Sequence, residues 1–231
     1  MNPAALQAAV VDLDGTLVDT VGDFVAALGA LLDELGLPAV ADRAFVRRTV
    51  GRGSAHLVRN ALAHAGADPG GMNLEDALAR YQRHYRAVNG RHAEVFPGVG
   101  EGLERLRARG LALACLTNKP REFALALLNA KGLARHFAHV FGGDSFERAK
   151  PDPLPLVATC AALGRAPAQT LMIGDSDNDV QAARGAGCPV VLVSYGYNHD
   201  RPAAAAGADA IVDRLDEIAL DGPGATCRTP A

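Results

Sequence analysis

The sequence predicts an α/β fold: a mostly parallel sheet with helices on both faces, plus a helical cap inserted after the first strand. Three observations carry this. Short apolar runs, each bounded by turn residues, alternate with helical patterns along most of the chain. The first of them ends abruptly in Asp12-Leu13-Asp14-Gly15-Thr16, as a buried strand does when it delivers charged groups to its carboxyl end. Between about Val21 and Asn89 the alternation stops, and helical patterns alone continue.

The strands follow from the apolar runs. Ala8 to Leu13, Leu111 to Thr117, Thr170 to Asp175, Val190 to Ser194 and Ala210 to Val212 read as buried strands, with a weaker one at Ala138 to Phe141. The helices between them have their own punctuation. Val99 to Arg109 stops at Gly110, Glu122 to Lys131 at Gly132, Leu154 to Leu163 at Gly164, and Asn178 to Ala186 at Gly187. In the interrupting stretch, Phe24 to Leu35, Ala55 to Ala65 and Leu74 to Val88 carry apolar residues at i, i+3, i+4 spacing. Gly36-Leu37-Pro38, Gly66 to Gly71 and Asn89-Gly90 separate them. The expected organisation is a catalytic unit of residues 1–20 and 91–221, a cap of residues 21–90, and a disordered tail from 222 to 231. Two short crossings, near Thr20 and Gly90, suit a hinge that closes one part over the other.

Composition narrows the function. The chain has 231 residues, 49% hydrophobic and 21% charged, enough apolar material for a sizeable core. A net charge of -3, with the arginines dispersed, implies no general attraction to nucleic acid or an anionic membrane. The four cysteines lie far apart with no C-x-x-C pair, so neither a zinc knuckle nor a redox pair is suggested. There is no secretory leader pattern and no apolar run long enough to span a bilayer, which makes a cytoplasmic protein the expectation.

Four strand or helix ends carry the chemistry. Asp12 and Asp14 stand at i and i+2 and share a face of the strand, so two carboxylates can divide labour. One attacks phosphorus, while the other gives a proton to the leaving oxygen and later takes one from water. Holding both there unpaired is costly, which calls for a cation. Thr117-Asn118 offers a hydroxyl and backbone N–H groups to phosphate oxygens. Lys150, in Ala149-Lys150-Pro151-Asp152-Pro153, supplies an ammonium for two negative partners. Gly174-Asp175-Ser176-Asp177-Asn178-Asp179 places three acids in five positions after an apolar strand, a cation-site signal suited to magnesium and its oxygen ligands. Alone, Lys150 would read as a surface lysine and residues 174–179 as a helix cap. The four together, in this order, do not.

With these motifs the chain resembles the haloacid dehalogenase-like (HAD-like) hydrolase superfamily, in the subgroup with a helical cap after the first strand and a Rossmann-like core. The resemblance spans essentially residues 8 to 220. It implies that Asp12 is the nucleophile forming an aspartyl-phosphate and Asp14 the general acid/base. It further implies that Thr117 and the Asn118 backbone hold the phosphate and that Lys150 orients the charges. Magnesium would be bound by Asp12, the backbone oxygen of Asp14 and Asp175, with Asp179 in supporting contact. Retention of an aspartate at 14 argues against the ion-pumping branch, where threonine takes that place. Within the superfamily the chain looks most similar to bacterial phosphoglycolate phosphatases, on Val50-Gly51-Arg52-Gly53 followed by Leu57-Val58 and Ala61-Leu62, on Phe96-Pro97-Gly98-Val99, and on Ser194-Tyr195-Gly196-Tyr197-Asn198-His199. It departs from that family at Asp200, where glycine is usual. The resemblance implies a small phosphorylated metabolite as partner, with 2-phosphoglycolate preferred and a monomer or homodimer as the working form. Gly51, Arg52 and Gly53 are the expected cap residues toward the substrate carboxylate. A sugar-phosphate phosphatase acting on N-acetylmuramic acid 6-phosphate, or a β-phosphoglucomutase-like enzyme, would share every core residue. A non-catalytic phosphate-sensing protein would have no use for Asp14.

Overall fold

The computed structural model describes residues 6–39, 41–67, 73–199 and 201–219. The expected disordered tail, the departure at Asp200, Cys227 and part of the Gly66 to Gly71 break lie outside these residues.

The central strand is β1 (Ala8–Val11), every residue of which is fully buried. Strands β4 (Ala112–Leu116), β5 (His139–Phe141), β6 (Thr170–Gly174), β7 (Val190–Val193) and β8 (Ala210–Val212) complete a six-stranded sheet. Its order is β5-β4-β1-β6-β7-β8, and every pairing is parallel. Counted within this sheet alone, that is the doubly wound 3-2-1-4-5-6 arrangement, whose strand order reverses beside β1. The pleat divides the strand side chains between two layers. Ala9, Val11, Leu113, Cys115, Leu171 and Ile173 pack against helices α5 (Val99–Ala108) and α6 (Arg121–Ala130). Val10, Ala114, Leu116, Met172 and Leu192 face α7 (Leu154–Ala162) and α8 (Asp177–Ala186). The near-continuous apolar character of each strand is thus the signature of a sheet covered on both sides.

A second unit interrupts this pattern. Helices α1 (Val21–Glu34), α2 (Arg43–Thr49), α3 (Ser54–His64) and α4 (Leu74–Val88) share a separate apolar cluster, including Phe24, Leu28, Phe45, Leu57, Tyr81 and Tyr85. Helix α2 escapes the periodicity argument because it has seven residues, of which Phe45, Val46 and Thr49 are buried. Its start is fixed locally by Asp42, whose carboxylate accepts the Phe45 N–H at 2.7 Å. Asn73 does the same for α4 through the N–H groups of Glu75 and Asp76.

The two crossings also carry structure that hydropathy does not reveal. They pair as an antiparallel ribbon, β2 (Val18–Asp19) with β3 (Glu94–Val95). Just past it, the fully buried Asp23 of α1 accepts the N–H of Gly90 at 2.6 Å and of His92 at 2.8 Å. Gly22 makes room for this contact, since a Cβ there would meet the His92 carbonyl oxygen at 2.4 Å. The outgoing helix is therefore stapled to the returning chain by one carboxylate. Replacing Asp23 by asparagine keeps the shape but turns a donor toward a donor. Asp23→Asn is expected to cost about 2 kcal/mol, read as a lower urea midpoint with unchanged slope; an unchanged midpoint would show that the staple carries no stability.

Candidate active site

The parallel register brings the motif residues to one edge. Val11 is level with Cys115 on one side and Ile173 on the other. Asp12, Thr117 and Asp175 therefore leave three adjacent strands at the carboxyl edge of the sheet, where open α/β sheets bind ligands. Asp12, Asp14, Thr117, Asn118, Lys150, Asp175 and Asp179 all line one cavity, together with Gly51 and Gly53 from the helical insert. Arg52 is exposed and lines a neighbouring outer cleft, along with Gln82 and Arg201, that shares the Gly53, Asn118 and Lys150 walls.

Lys150 is the electrostatic centre. Its ammonium donates to Asp179 Oδ1 at 2.7 Å and to the Leu116 carbonyl at 2.9 Å, and forms an ion pair with Asp12 Oδ1 at 2.8 Å. Burial works against its charge, but Asp12 and Asp179 more than offset this and hold the lysine protonated. Asn118 fixes the loop that carries it. The Asn118 side chain donates to the Lys150 carbonyl at 2.7 Å and accepts the Lys150 N–H at 3.0 Å. The same amide donates to the Gly51 carbonyl at 2.9 Å, and Asn178 donates to that oxygen at 3.2 Å. One carbonyl of the insert is thus held by both walls of the sheet unit.

Asp179 is saturated. Besides Lys150, its Oδ2 accepts the N–H groups of Asp175 and Ser176 at 3.2 Å each and the Ser176 hydroxyl at 3.0 Å. A Cβ at Gly174 would meet Asp179 Cγ at 2.3 Å, so glycine there admits the carboxylate. Asp175 keeps more freedom. Its Oδ2 accepts the Tyr197 N–H at 2.5 Å, and the Thr16 hydroxyl reaches Oδ1 only at 3.4 Å. Gly15, with φ +87°, leaves the space that Asp175 fills.

Asp12, Asp175 and Asp179 offer carboxylate oxygens within 4.8 Å of one another, all buried. Burial, reinforced by neighbouring carboxylates, raises Asp175 well above the ordinary carboxylate range. Burial also raises Asp12 to about 6, although Lys150 pulls it down. One ammonium therefore does not fully compensate the cluster. Hard oxygen donors with uncompensated negative charge fit a divalent cation.

Sequence reasoning did not single out Lys119, Tyr81 or Tyr85. Lys119 is buried, with its ammonium at 2.9 and 3.1 Å from the two Asp14 oxygens. It also sits 4.6 Å from the Phe24 ring centre and 4.7 Å from that of Tyr85, both in the insert. Its position two residues past Thr117 at a strand end was the available signal. Tyr81 and Tyr85, one turn apart on the amphipathic α4, were another. Tyr197, noted only within the run 194–199, ties the site to the crossings. Its hydroxyl donates to Asp19 at 2.5 Å and accepts the Thr20 N–H at 2.9 Å. Arg47 of α2 lies 5.2 Å over its ring and donates to the Tyr195 carbonyl at 3.2 Å.

Comparison with known proteins matches residues 6–187 to the family model described as haloacid dehalogenase-like hydrolase. The chain belongs to this family. Among its relatives, the phosphoglycolate phosphatase of Thiobacillus denitrificans is 43% identical over 219 residues, covering 94% of this chain and 96% of the relative. The plasmid phosphoglycolate phosphatase of Cupriavidus necator is 46% identical over 211 residues, covering 91% and 90%. A crystal structure of a predicted phosphoglycolate phosphatase from Haemophilus somnus superposes with a TM-score of 0.83 at 33% identity, covering 93% of this chain and 96% of that one. Among the described residues of this hydrolase, no helix is long and apolar enough to cross a membrane.

The elevated Asp12 fixes a pH dependence for the cation-free hydrolase. With a folded value near 6 against an ordinary 3.8, the native state binds more protons than the unfolded one between these values. Stability therefore falls as pH rises through that window. Without added cation at pH 7.5, Asp12→Asn is expected to be more stable than the parent by roughly 2 kcal/mol, the gap closing near pH 4. Thermal melts in a chelator check this; a less stable variant at pH 7.5 would mean that Lys150 fully compensates Asp12.

Proposed function

We propose that this hydrolase is a magnesium-dependent phosphomonoesterase working through an aspartyl-phosphate on Asp12, with 2-phosphoglycolate as substrate and glycolate and phosphate as products. The observation that carries the reading is the meeting of Asp12, Asp14, Lys150 and Asp175 in one buried cavity. Substrate identity is supported by the phosphoglycolate phosphatases that resemble the chain over nearly its whole length.

The chemistry follows from the contacts. Lys150 engages Asp12 Oδ1, which orients the carboxylate and leaves Oδ2 for attack on phosphorus. The P–O bond to the glycolate oxygen breaks, and Asp14 gives that oxygen its proton. Asp14 then takes a proton from water, which attacks the phosphoryl group and returns Asp12 to its starting state. Thr117 and the Asn118 backbone line the phosphate end. Asp12, Asp175 and the Asp14 backbone oxygen would hold magnesium, which when bound neutralises charge between nucleophile and phosphate. Asp179, saturated by its four donors, acts by positioning Lys150 and the 175–176 loop. Residues 21–90 serve as a cap that excludes bulk water during attack and reopens for release. Arg52, in the outer cleft, adds positive charge where an anionic substrate arrives.

Phosphate release with magnesium, measured over small phosphomonoesters, tests the substrate. kcat/KM is expected to be highest for 2-phosphoglycolate, and a hexose or amino-sugar phosphate outranking it would overturn the assignment. Asp12→Asn is expected to lower turnover by at least about 10³-fold, because an amide does not attack phosphorus. Asp14→Asn is expected to accumulate phosphoenzyme visible by intact mass, since nothing activates water. An Asp14→Asn enzyme with parental steady-state rate would remove that residue from the mechanism.

A further inference from the structure

We propose that Lys119, Tyr81 and Tyr85 form the subsite that holds the substrate's carboxylate, one cation and two hydroxyl donors supplied from both the sheet unit and the helical insert. This rests on the phosphomonoesterase reading above and names the group that reads the non-phosphate end.

Among the described residues lining the cavity, Lys119 and Lys150 are the two that carry positive charge. Lys150 is already committed to two carboxylates, Asp12 and Asp179, and to the Leu116 carbonyl. Lys119 differs. Its partner is the single carboxylate of Asp14, and its remaining surroundings are the faces of Phe24 and Tyr85. A second anion can approach this ammonium without displacing any contact that builds the phosphate end.

The tyrosines supply an independent observation. Tyr81 and Tyr85 are each 1% exposed and line the cavity, yet among the described residues neither hydroxyl has a hydrogen-bond partner. A buried phenol left so is costly, and an acceptor oxygen brought in by a ligand would complete it. Burial, with the negative charge of Asp14 adding to it, raises both phenols well above their ordinary range, so they remain donors. A carboxylate accepts two such O–H donors and an ammonium together. Around them the walls are apolar, from Phe24, Val50, Leu57 and Phe123. Such walls suit a short acid and leave the hydroxyls of a hexose unpartnered. Arg52, on the outer cleft, does not line this cavity.

The test compares 2-phosphoglycolate with ethyl phosphate, in which a methyl group replaces the carboxylate. The readout is the ratio of their kcat/KM values in the parent, Lys119→Met, Tyr81→Phe, Tyr85→Phe and Arg52→Ala enzymes. Removing Lys119 is expected to reduce the ratio on the order of 10²-fold, and each hydroxyl roughly tenfold. Lys119→Arg should recover part of the ratio by restoring charge. Thermal melts establish that each variant is folded, and the two tyrosine variants keep the question decidable if Lys119→Met is not. Equal losses on both substrates would assign Lys119 to Asp14 alone and overturn the inference. So would a ratio that collapses in Arg52→Ala and survives in the other variants. A parent enzyme hydrolysing neither ester would instead defeat the phosphomonoesterase reading, and one hydrolysing both equally would defeat the phosphoglycolate assignment.

Discussion

Three carboxylates buried within 4.8 Å of one another repel, and a single ammonium, Lys150, stands against them. Most of the local architecture answers to that constraint. Asp179 is quieted by four donors, two of them backbone N–H groups of Asp175 and Ser176 just before α8, so its charge is spent on structure. Glycine at 174 and 15 is required because the carboxylates occupy the space a side chain would take. Asn118 clamps both ends of the Lys150 backbone, so the ammonium arrives in one place. What stays uncompensated, at Asp12 and Asp175, is negative charge of the kind a divalent cation neutralises.

A second ion pair extends the same logic across the cavity. Asp14 is paired not with Lys150 but with Lys119, whose ammonium is embraced by rings from the helical insert. The two lysines therefore separate the two aspartates. The residue at 12 belongs electrostatically to the sheet, and the residue at 14 to the boundary with the insert. Tyr197 adds a physical link between these regions, its backbone on Asp175 and its hydroxyl on the crossing at Asp19 and Thr20.

The sheet was legible because each strand is buried on both faces, which leaves a continuous apolar run in the sequence; Ala8–Val11 and Thr170–Gly174 are the clearest. The candidate site at the carboxyl edge was legible because polar and charged residues follow those runs without a break. Helices α1, α3 and α4 were found by their periodicity, and α2 was not, since seven residues do not complete two turns. The ribbon of Val18–Asp19 with Glu94–Val95 was invisible for a related reason: two residues have no period, and their pairing is set by a separation along the chain that no local pattern encodes. Lys119, Tyr81 and Tyr85 were missed because their meaning is relational. A lysine after Thr117-Asn118 and two tyrosines one turn apart acquire a role only once the insert is laid against the sheet.

The ribbon at the crossings has a topological meaning. Because Val18 is paired with Val95 and Asp19 with Glu94, the chain leaves the sheet unit and returns to it at a single point. To the strands, everything between those pairs is equivalent to a hairpin loop, whatever its length. The ribbon thus separates two kinds of change: a longer or shorter helix beyond it leaves the Val18–Val95 pairing where it is, whereas an insertion anywhere between Asp12 and Val18 would move Asp12 and Asp14 relative to it.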